Sequence, residues 1–237
     1  EFNGYHVIDV ETPNGLESII NLEGGSSILE AGTPDLDKWT SSIIIPDEGT
    51  TSVEVISSSY HDFYNVYVAP SKGNFSRMIN PEDVAYSYDV PYQSDDFYPG
   101  LLAELQNPYI LRDLRGQTVV VYPLQYNPIT KTLRLYTQID LKVTTLGSSG
   151  DNVLSRVRSM ERVSKEYDAI YSDLFLNYAN DTRFNYVVDE GSMLVISSGD
   201  FMDEMQPLVD WKNRKGIPTE MANVSSIGST SSSIESY

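Results

Sequence analysis

The sequence predicts a mainly β chain: an antiparallel β-sandwich, then a helix, then the opening β-α-β of an α/β domain. Three observations support this class. Short segments rich in β-branched and aromatic residues recur through residues 1–148, turn residues separate them, and helical spacing replaces them near residue 150. Many short strands with regularly spaced turns favour a sandwich over a parallel sheet.

The first 70 residues contain four segments with strand character. Two of them alternate with period 2, through Val53 and Val55 and then through Tyr64, Val66 and Val68. Glycine, proline and asparagine residues between the segments indicate turns. The predicted strands are 5–10, 41–45, 51–56 and 64–68.

The clearest unit is a β-hairpin in residues 118–145. Its predicted strands are 118–125 and 132–145, and the turn is 127–131, which contains Asn127 and Pro128. Alternation in the second strand predicts one shared face, formed by Leu133, Leu135, Thr137, Ile139, Leu141 and Val143.

The composition changes after the hairpin. Residues 146–152 are rich in glycine and serine, which predicts a flexible linker. A helix follows, because apolar residues then recur at spacings of three and four. This stripe is typical of a helix packed on a core, and its members are Met160, Val163, Tyr167, Ile170 and Leu174. Residues 177–191 are predicted to form an exposed connector.

The last 45 residues predict a strand, a helix and a strand. The apolar run 193–196 indicates a strand buried on both faces. Ser198 is a candidate N-cap for a helix over 201–215, with Met205, Leu208 and either Val209 or Trp211 facing inward. Gly216 ends that helix, and 217–221 is the next strand. Residues 231–233 are expected to cap a further helix. Because one β-α-β unit cannot bury a core, we expect these 237 residues to be part of a longer protein.

Charge and composition exclude several function classes. The chain has 34 acidic and 16 basic residues, for a net charge of −18, which argues against nucleic acid and anionic membranes as partners. It has no cysteine, so a disulfide framework, a thiolate metal site and a thiol nucleophile are absent from these residues. No apolar run approaches the length of a membrane span, and residues 1–4 do not begin a signal peptide.

The negative charge is concentrated in one part of the chain. Residues 1–100 contain 17 acidic and 3 basic side chains, a net charge of −14. This excess indicates either a solvated acidic surface or a face that meets a cationic partner or calcium. No cofactor is expected, and calcium is the one ion that the oxygen-rich side chains leave open.

Few residues indicate catalysis. His6 and His61 are the only imidazoles, and neither stands at metal-ligand spacing or beside a nucleophile motif. Paired acids could serve glycoside hydrolysis, although adjacent surface acids more often cap helices or solvate the chain. These pairs are Glu82-Asp83, Asp95-Asp96 and Asp203-Glu204.

Several contiguous strings together resemble one family. They include Ser-Lys-Gly-Asn-Phe-Ser-Arg at 71–77, Phe-Tyr-Pro-Gly at 97–100 and Tyr-Asn-Pro-Ile-Thr-Lys-Thr-Leu-Arg-Leu at 126–135. Residues 108–117 and 176–178, with Arg183, continue the pattern. This sequence resembles the prodomain of arginine-specific, gingipain-type secreted cysteine peptidases. Residues 191–220 resemble the first β-α-β of the caspase-like catalytic domain, so the resemblance covers about residues 32–237.

The resemblance implies a zymogen. Residues 1–183 would be a β-sandwich prodomain with a linker and helix at about 147–178, and residues 184–237 would begin the catalytic domain. The prodomain would help the peptidase fold and keep it latent through an inhibitory loop at Ser76 and Arg77, with Arg77 in the specificity pocket. Cleavage after Arg183 would make Phe184 a new N-terminus.

The same resemblance implies a partner and a location. The partner would be the chain's own catalytic domain or another gingipain-like peptidase. The protein would be secreted or displayed on a bacterial surface, with its signal peptide already removed. The family's catalytic cysteine and histidine lie downstream of the first β-α-β, so we expect this chain to be inactive by itself, although its parent precursor resembles an endopeptidase.

Two other functions remain open from the residues alone. One is a secreted β-sandwich adhesin or binding module, which predicts no protruding Arg77 loop and resistance to digestion at Arg183. The other is an acid-dependent glycosidase, for which no matched site is present. The sequence also leaves open whether a parent peptidase would select arginine or lysine.

Overall fold

A computed structural model describes residues 4–156, 162–180, 187–189 and 191–237. The chain divides into two compact units. The first consists of residues 1–157 and 173–181, and the second consists of residues 158–172 and 182–237. This division was not anticipated, and the predicted domain boundary between Arg183 and Phe184 remains a prediction.

The described part of the first unit is built from ten strands and short 3-10 helices. The helices are Pro81–Asp83, Val90–Gln93 and Tyr178–Asn180. The strands are β1 Tyr5–Thr12, β2 Gly15–Leu22, β3 Ser26–Ser27, β4 Asp37–Ile44, β5 Thr50–Tyr64, β6 Ala103–Leu105, β7 Tyr109–Leu111, β8 Leu114–Val121, β9 Leu124–Asn127 and β10 Thr132–Leu146.

These strands form three antiparallel sheets. Strands β1 and β2 make a hairpin, β5, β10 and β9 make a three-stranded sheet in that order, and β3, β4, β8 and β6 make a larger sheet to which β7 is added through β8. One core is formed by residues from the hairpin, from the three-stranded sheet and from the segments between them. Its buried members are Ile20, Leu22, Leu36, Val68, Leu124, Tyr126, Leu133 and Leu135. The predicted mainly β, antiparallel class is confirmed.

The structure corrects the predicted strands at 51–56 and 64–68. Strand β5 runs without interruption from Thr50 to Tyr64, because it pairs with β10 along its whole length. Its serines at 57–59 break the apolar alternation, but their backbone groups remain in the ladder. After Tyr64 the chain leaves the sheet, and Val68 forms only an isolated bridge to Ser18.

The predicted hairpin strand 118–125 is in fact two strands. Strand β8 ends at Val121 and pairs with β4, whereas β9 begins at Leu124 and pairs with β10. Pro123 lies at this change of sheet, where its missing N–H removes no ladder bond. Of the residues predicted to share one face of β10, Leu133 and Leu135 are buried, while Thr137 is exposed beside a bulge.

The predicted flexible linker at 146–152 is held by the chain before it. The guanidinium of Arg115 is fully buried and donates to the carbonyls of Pro46 (2.9 Å), Gly49 (3.0 Å) and Asp151 (2.7 Å). Arg156 pairs with the carboxylate of Asp47. The prediction of a flexible linker was wrong because it rested on local glycine and serine content, whereas the contacts that fix the segment come from distant residues such as Arg115.

The second unit contains two pairs of parallel strands. Strand β11 (Arg162–Ser164) pairs with β12 (Val187–Asp189), and β13 (Met193–Ser197) pairs with β14 (Thr219–Asn223). Helix α1 is Lys165–Leu174, and α2, Met202–Arg214, connects β13 to β14. Two short helices follow, α3 (Val224–Ile227) and α4 (Ser231–Glu235). The predicted β-α-β is therefore present.

Several details in the C-terminal part of the chain differ from prediction. The helix begins at Lys165, because Val163 belongs to β11; Met160 lies outside the described residues. The predicted exposed connector 177–191 contains the buried Tyr178 and the strand β12. Strand β13 is not covered on both faces, since Leu194 is 43% exposed.

The ends of α2 follow the predicted signals only in part. Gly216 follows the helix with a φ of +82°, as expected of a stop residue. Ser198 instead precedes a short 3-10 helix, Gly199–Phe201, and its side chain makes no capping hydrogen bond. Val209 faces inward as predicted, whereas the Trp211 ring lies beside the ammonium groups of Lys212 and Lys215.

Candidate functional site

The predicted inhibitory loop begins at a tightly bonded base. Both backbone polar groups of Ser71 bond to the segment before β4: its N–H donates to the Thr33 carbonyl (2.7 Å), and its carbonyl accepts from the Gly32 N–H (2.9 Å). Two residues earlier, the Ala69 N–H donates to the Ser18 carbonyl (2.9 Å), and the Ala69 carbonyl accepts from the Asp35 N–H (2.8 Å). The chain therefore leaves the core at residue 71 from a fixed position.

Lys72 closes the loop that follows. Its Nζ donates to the carbonyl of Pro81 at 2.8 Å, and its ammonium lies 4.4 Å from the centre of the Tyr86 ring. On the returning side, Asn80 caps the short helix Pro81–Asp83 by accepting from the Glu82 N–H. Residues 72–81 thus form a loop whose two ends are joined, and we call this segment the Arg77 loop.

Gly73 brings the Arg77 loop close to the chain before β4. Its φ is +80°, and a Cβ at this position would lie 2.8 Å from the Cβ of Ala31. Both the backbone conformation and the close approach require glycine. The Gly73 N–H also donates to Ser71 Oγ at 3.1 Å.

The tip of the Arg77 loop is a four-residue turn. The Ile79 N–H donates to the Ser76 carbonyl (2.9 Å), and the Met78 N–H donates to Ser76 Oγ (3.3 Å). Arg77 is exposed, and within the described part of the chain its guanidinium has no hydrogen bond and no ion pair. Five N–H donors in a planar fork are therefore free for a carboxylate of another molecule.

Acidic and tyrosine side chains lie around the base of the Arg77 loop. Burial and, secondarily, the charge of Asp37 raise the pKa of Asp35 to about 6. Asp37 accepts hydrogen bonds from Leu22 N–H (2.8 Å) and Ser27 Oγ (2.9 Å). Burial also raises the pKa of Tyr92, whose hydroxyl donates to the Val68 carbonyl at 2.8 Å. Partial burial at the base thus holds the pKa of one carboxyl well above its usual value.

Replacing Asp35 with asparagine is expected to stabilise the protein at high pH only. A folded-state pKa of about 6 against an ordinary 3.8 means that Asp35 stabilises the fold when protonated and that this contribution is lost as pH rises through 6. Because Asp35 is partly exposed, we expect Asp35→Asn to gain about 1–2 kcal/mol at pH 8 and nearly nothing at pH 4.

Urea unfolding at both pH values measures this difference. Glu54→Gln, which removes the same charge from an exposed position of β5, is the control for the general effect of lowering the negative charge. An equal gain for Asp35→Asn at pH 4 and pH 8 would contradict the assignment.

The other candidate sites receive no support. Among the residues that the structure describes, no group of three or more histidine, aspartate or glutamate side chains could hold a metal ion, so calcium stays an untested expectation. Two of the acid pairs, Glu82-Asp83 and Asp203-Glu204, lie in the first turns of helices. Carboxylates at this end of a helix interact favourably with its dipole. His6 and His61 are both exposed on strands.

The structure places one of the two predicted functional positions. Ser76 and Arg77 lie at the exposed tip described above, which the binding-module alternative did not predict. Arg183 and Phe184 lie outside the described residues, so the cleavage site remains a prediction. Sequence reasoning missed Lys72, although it is one of only three basic residues in the first 100.

Comparison with known proteins gives the family. The family model Propeptide_C25 matches residues 1–175. The chain belongs to the Propeptide_C25 family. Gingipain R2 of Porphyromonas gingivalis is 38% identical over 97% of this chain and 31% of its own length. Gingipain R1 of the same organism is 35% identical over 97% of this chain and 23% of its own length. The chain thus spans about a third or less of these relatives.

Two solved structures resemble the Propeptide_C25 chain. A complex of Porphyromonas gingivalis RgpB pro- and mature domains matches with a TM-score of 0.69 and 37% identity, covering 76% of this chain and 89% of that one. A structure of gingipain K from the same organism, described as an insight into zymogenic latency, matches with a TM-score of 0.53 at 22% identity and supports the fold alone. It covers 62% of this chain and 84% of that chain.

No helix within the described ranges has the length and apolar character needed to cross a membrane.

Proposed function

We propose that this chain is the inhibitory and folding-assisting prodomain of a gingipain-type cysteine endopeptidase zymogen, together with the start of its catalytic domain. The observation that carries the proposal is Arg77: an exposed guanidinium without a partner among the residues that the structure describes, at the tip of a loop whose ends are fixed. Membership of a propeptide family and the similarity to a complex of pro- and mature domains support it.

The mechanism follows from the chemistry of arginine. In the complex, Arg77 enters the pocket that selects arginine in substrates, and its planar fork pairs with an acid at the base of that pocket. The loop then occupies the active site and excludes substrate. The acidic surface of the first 100 residues favours the rate and specificity of docking more than the final affinity.

The first test is an inhibition assay. The purified 237-residue chain is titrated against an arginine-specific gingipain, and residual hydrolysis of a small arginine substrate is followed. We expect inhibition that a higher substrate concentration relieves, because both compete for one pocket. Absence of inhibition at concentrations well above that of the enzyme would refute the proposal, and inhibition of a lysine-specific enzyme alone would refute the arginine assignment.

We propose that maturation separates residues 1–183 from residues 184–237 by cleavage after Arg183. Under limited digestion with an arginine-specific gingipain, the wild-type chain should give a new N-terminus at Phe184, whereas Arg183→Gln should keep that bond intact. N-terminal sequencing or mass measurement of the products identifies the bond. The second expectation is that Arg158→Gln, the matched control, leaves cleavage at Arg183 unchanged; preferred cutting elsewhere in the wild-type chain would contradict the site.

The location of the protein is part of the same proposal. Gingipain relatives are secreted or cell-surface proteins of Porphyromonas. We assign this chain the same location and infer that a signal peptide has been removed from its precursor. N-terminal sequencing of the exported protein tests this, and recovery of the precursor only inside the cell would contradict it.

A further inference from the structure

Arg77 shares the tip of its loop with a second exposed side chain. The hydrogen bond from Ile79 to Ser76 closes a turn in which Arg77 and Met78 are the two central residues. Met78 is 93% exposed, the largest fraction among the exposed large hydrophobic residues that the structure describes. A partner that surrounds Arg77 must therefore also meet Met78.

In the unbound protein the Met78 side chain stays exposed to water, so its apolar surface becomes buried only when a partner covers it. Within the described part of the chain almost nothing covers the thioether side chain. A single exposed apolar residue needs no functional explanation when it lies apart from any other feature. At this position the neighbour is Arg77, and a flexible methionine adapts well to an apolar pocket of another protein. Met78 is thus suited to a shallow apolar site beside the arginine pocket.

The sequence repeats this pairing at the bond where we place maturation. Arg183 is followed by Phe184, as Arg77 is followed by Met78. In both places a large apolar residue stands on the carboxyl side of arginine. A peptidase that binds both segments with arginine in its specificity pocket would contact Met78 and Phe184 in the same neighbouring subsite.

We propose that the peptidase that this chain controls has an apolar subsite for the residue after arginine, and that Met78 fills it in the inhibited complex. The inference rests on the proposed function and deepens it, because it names a substrate class: polypeptides in which arginine precedes a large apolar residue. Met78 therefore adds affinity and specificity to the contact that Arg77 makes.

The inhibitor provides the first test. The full chain carrying Met78→Asp is compared with the wild type and with Met78→Leu in the inhibition assay described above, during the first minutes and with intact chain confirmed by mass. We expect Met78→Asp to raise the inhibition constant about tenfold or more and Met78→Leu to change it by less than about threefold. Melting temperatures should stay equal, because the side chain is exposed.

Substrates provide the second test. Internally quenched peptides that differ only after arginine, with methionine or phenylalanine against aspartate or glycine, are compared by kcat/KM, and we expect the apolar pair to be favoured about tenfold. Equal inhibition by wild type and Met78→Asp, or equal hydrolysis of the two peptide pairs, would overturn the subsite while leaving the inhibitory function intact. A wild-type chain that fails to inhibit would overturn both.

Discussion

Arg77→Ala is expected to weaken inhibition of an arginine-specific gingipain by about 100-fold, because truncating one member of a desolvated charge pair commonly costs 2–5 kcal/mol. The partner's acid would remain in its pocket without a counter-ion. Since Arg77 is exposed and has no partner within the described part of the chain, the substitution should leave the melting temperature unchanged. The inhibition constant and the melting temperature are measured on the same preparations.

Arg77→Lys separates charge from shape. Lysine keeps the charge but loses the bidentate fork, so we expect an intermediate loss of inhibition against the arginine-specific enzyme. The matched control is Arg112→Ala, which removes an arginine that lies outside the Arg77 loop and is paired with Asp113. If Arg77→Ala inhibits as well as the wild type does, Arg77 is not the residue that enters the pocket.

Arg115→Met is expected to lower the free energy of unfolding of the first unit by about 3 kcal/mol, because three carbonyls, of which that of Gly49 is buried, lose a charged donor. Arg115 is fully buried and holds the carbonyls of Pro46, Gly49 and Asp151. Methionine fills similar space but donates no hydrogen bond. Urea unfolding, followed by the fluorescence of Trp39 in chains that also carry Trp211→Phe, measures the loss.

Two further measurements sharpen the Arg115 test. Arg112→Met is the surface control, and an exposed ion pair should contribute less than about 1 kcal/mol. Hydrogen exchange should rise in residues 147–156 of Arg115→Met, because the donor that fixes Asp151 is lost. A loss of stability below about 1 kcal/mol would mean that water replaces the guanidinium at little cost.

The local sequence pattern was sufficient to predict those elements whose own residues mark their type and their ends. The β-α-β at β13, α2 and β14 was predictable from an apolar run, a helical stripe and Gly216. It was insufficient where a distant strand decides: β5 continues through its serines because β10 pairs with it, and β8 ends before Pro123 because its partner is β4. Pairing between backbone groups does not require alternating side chains, so it could not be predicted from the alternation in the sequence.

The candidate site could be located but not explained from the sequence. Resemblance to a peptidase prodomain drew attention to Ser76 and Arg77, and the structure places them at an exposed turn. The contacts that fix the two ends of the loop carrying this turn come from Lys72 and from the backbone of Gly32 and Thr33. These lie up to 45 residues from Arg77 in the chain, where residue spacing gives no indication that they meet.

The closed ends of the Arg77 loop have a consequence for how affinity arises. A free ten-residue segment would lose conformational entropy on entering an active site, whereas this one is already confined when the domain folds. If the Arg77 loop enters the active site as we propose, little further ordering is needed when the two proteins bind, and the affinity is higher for that reason. Substitutions at Lys72 or Gly73, which need not touch the peptidase, would then weaken inhibition by giving the loop more freedom in the unbound state.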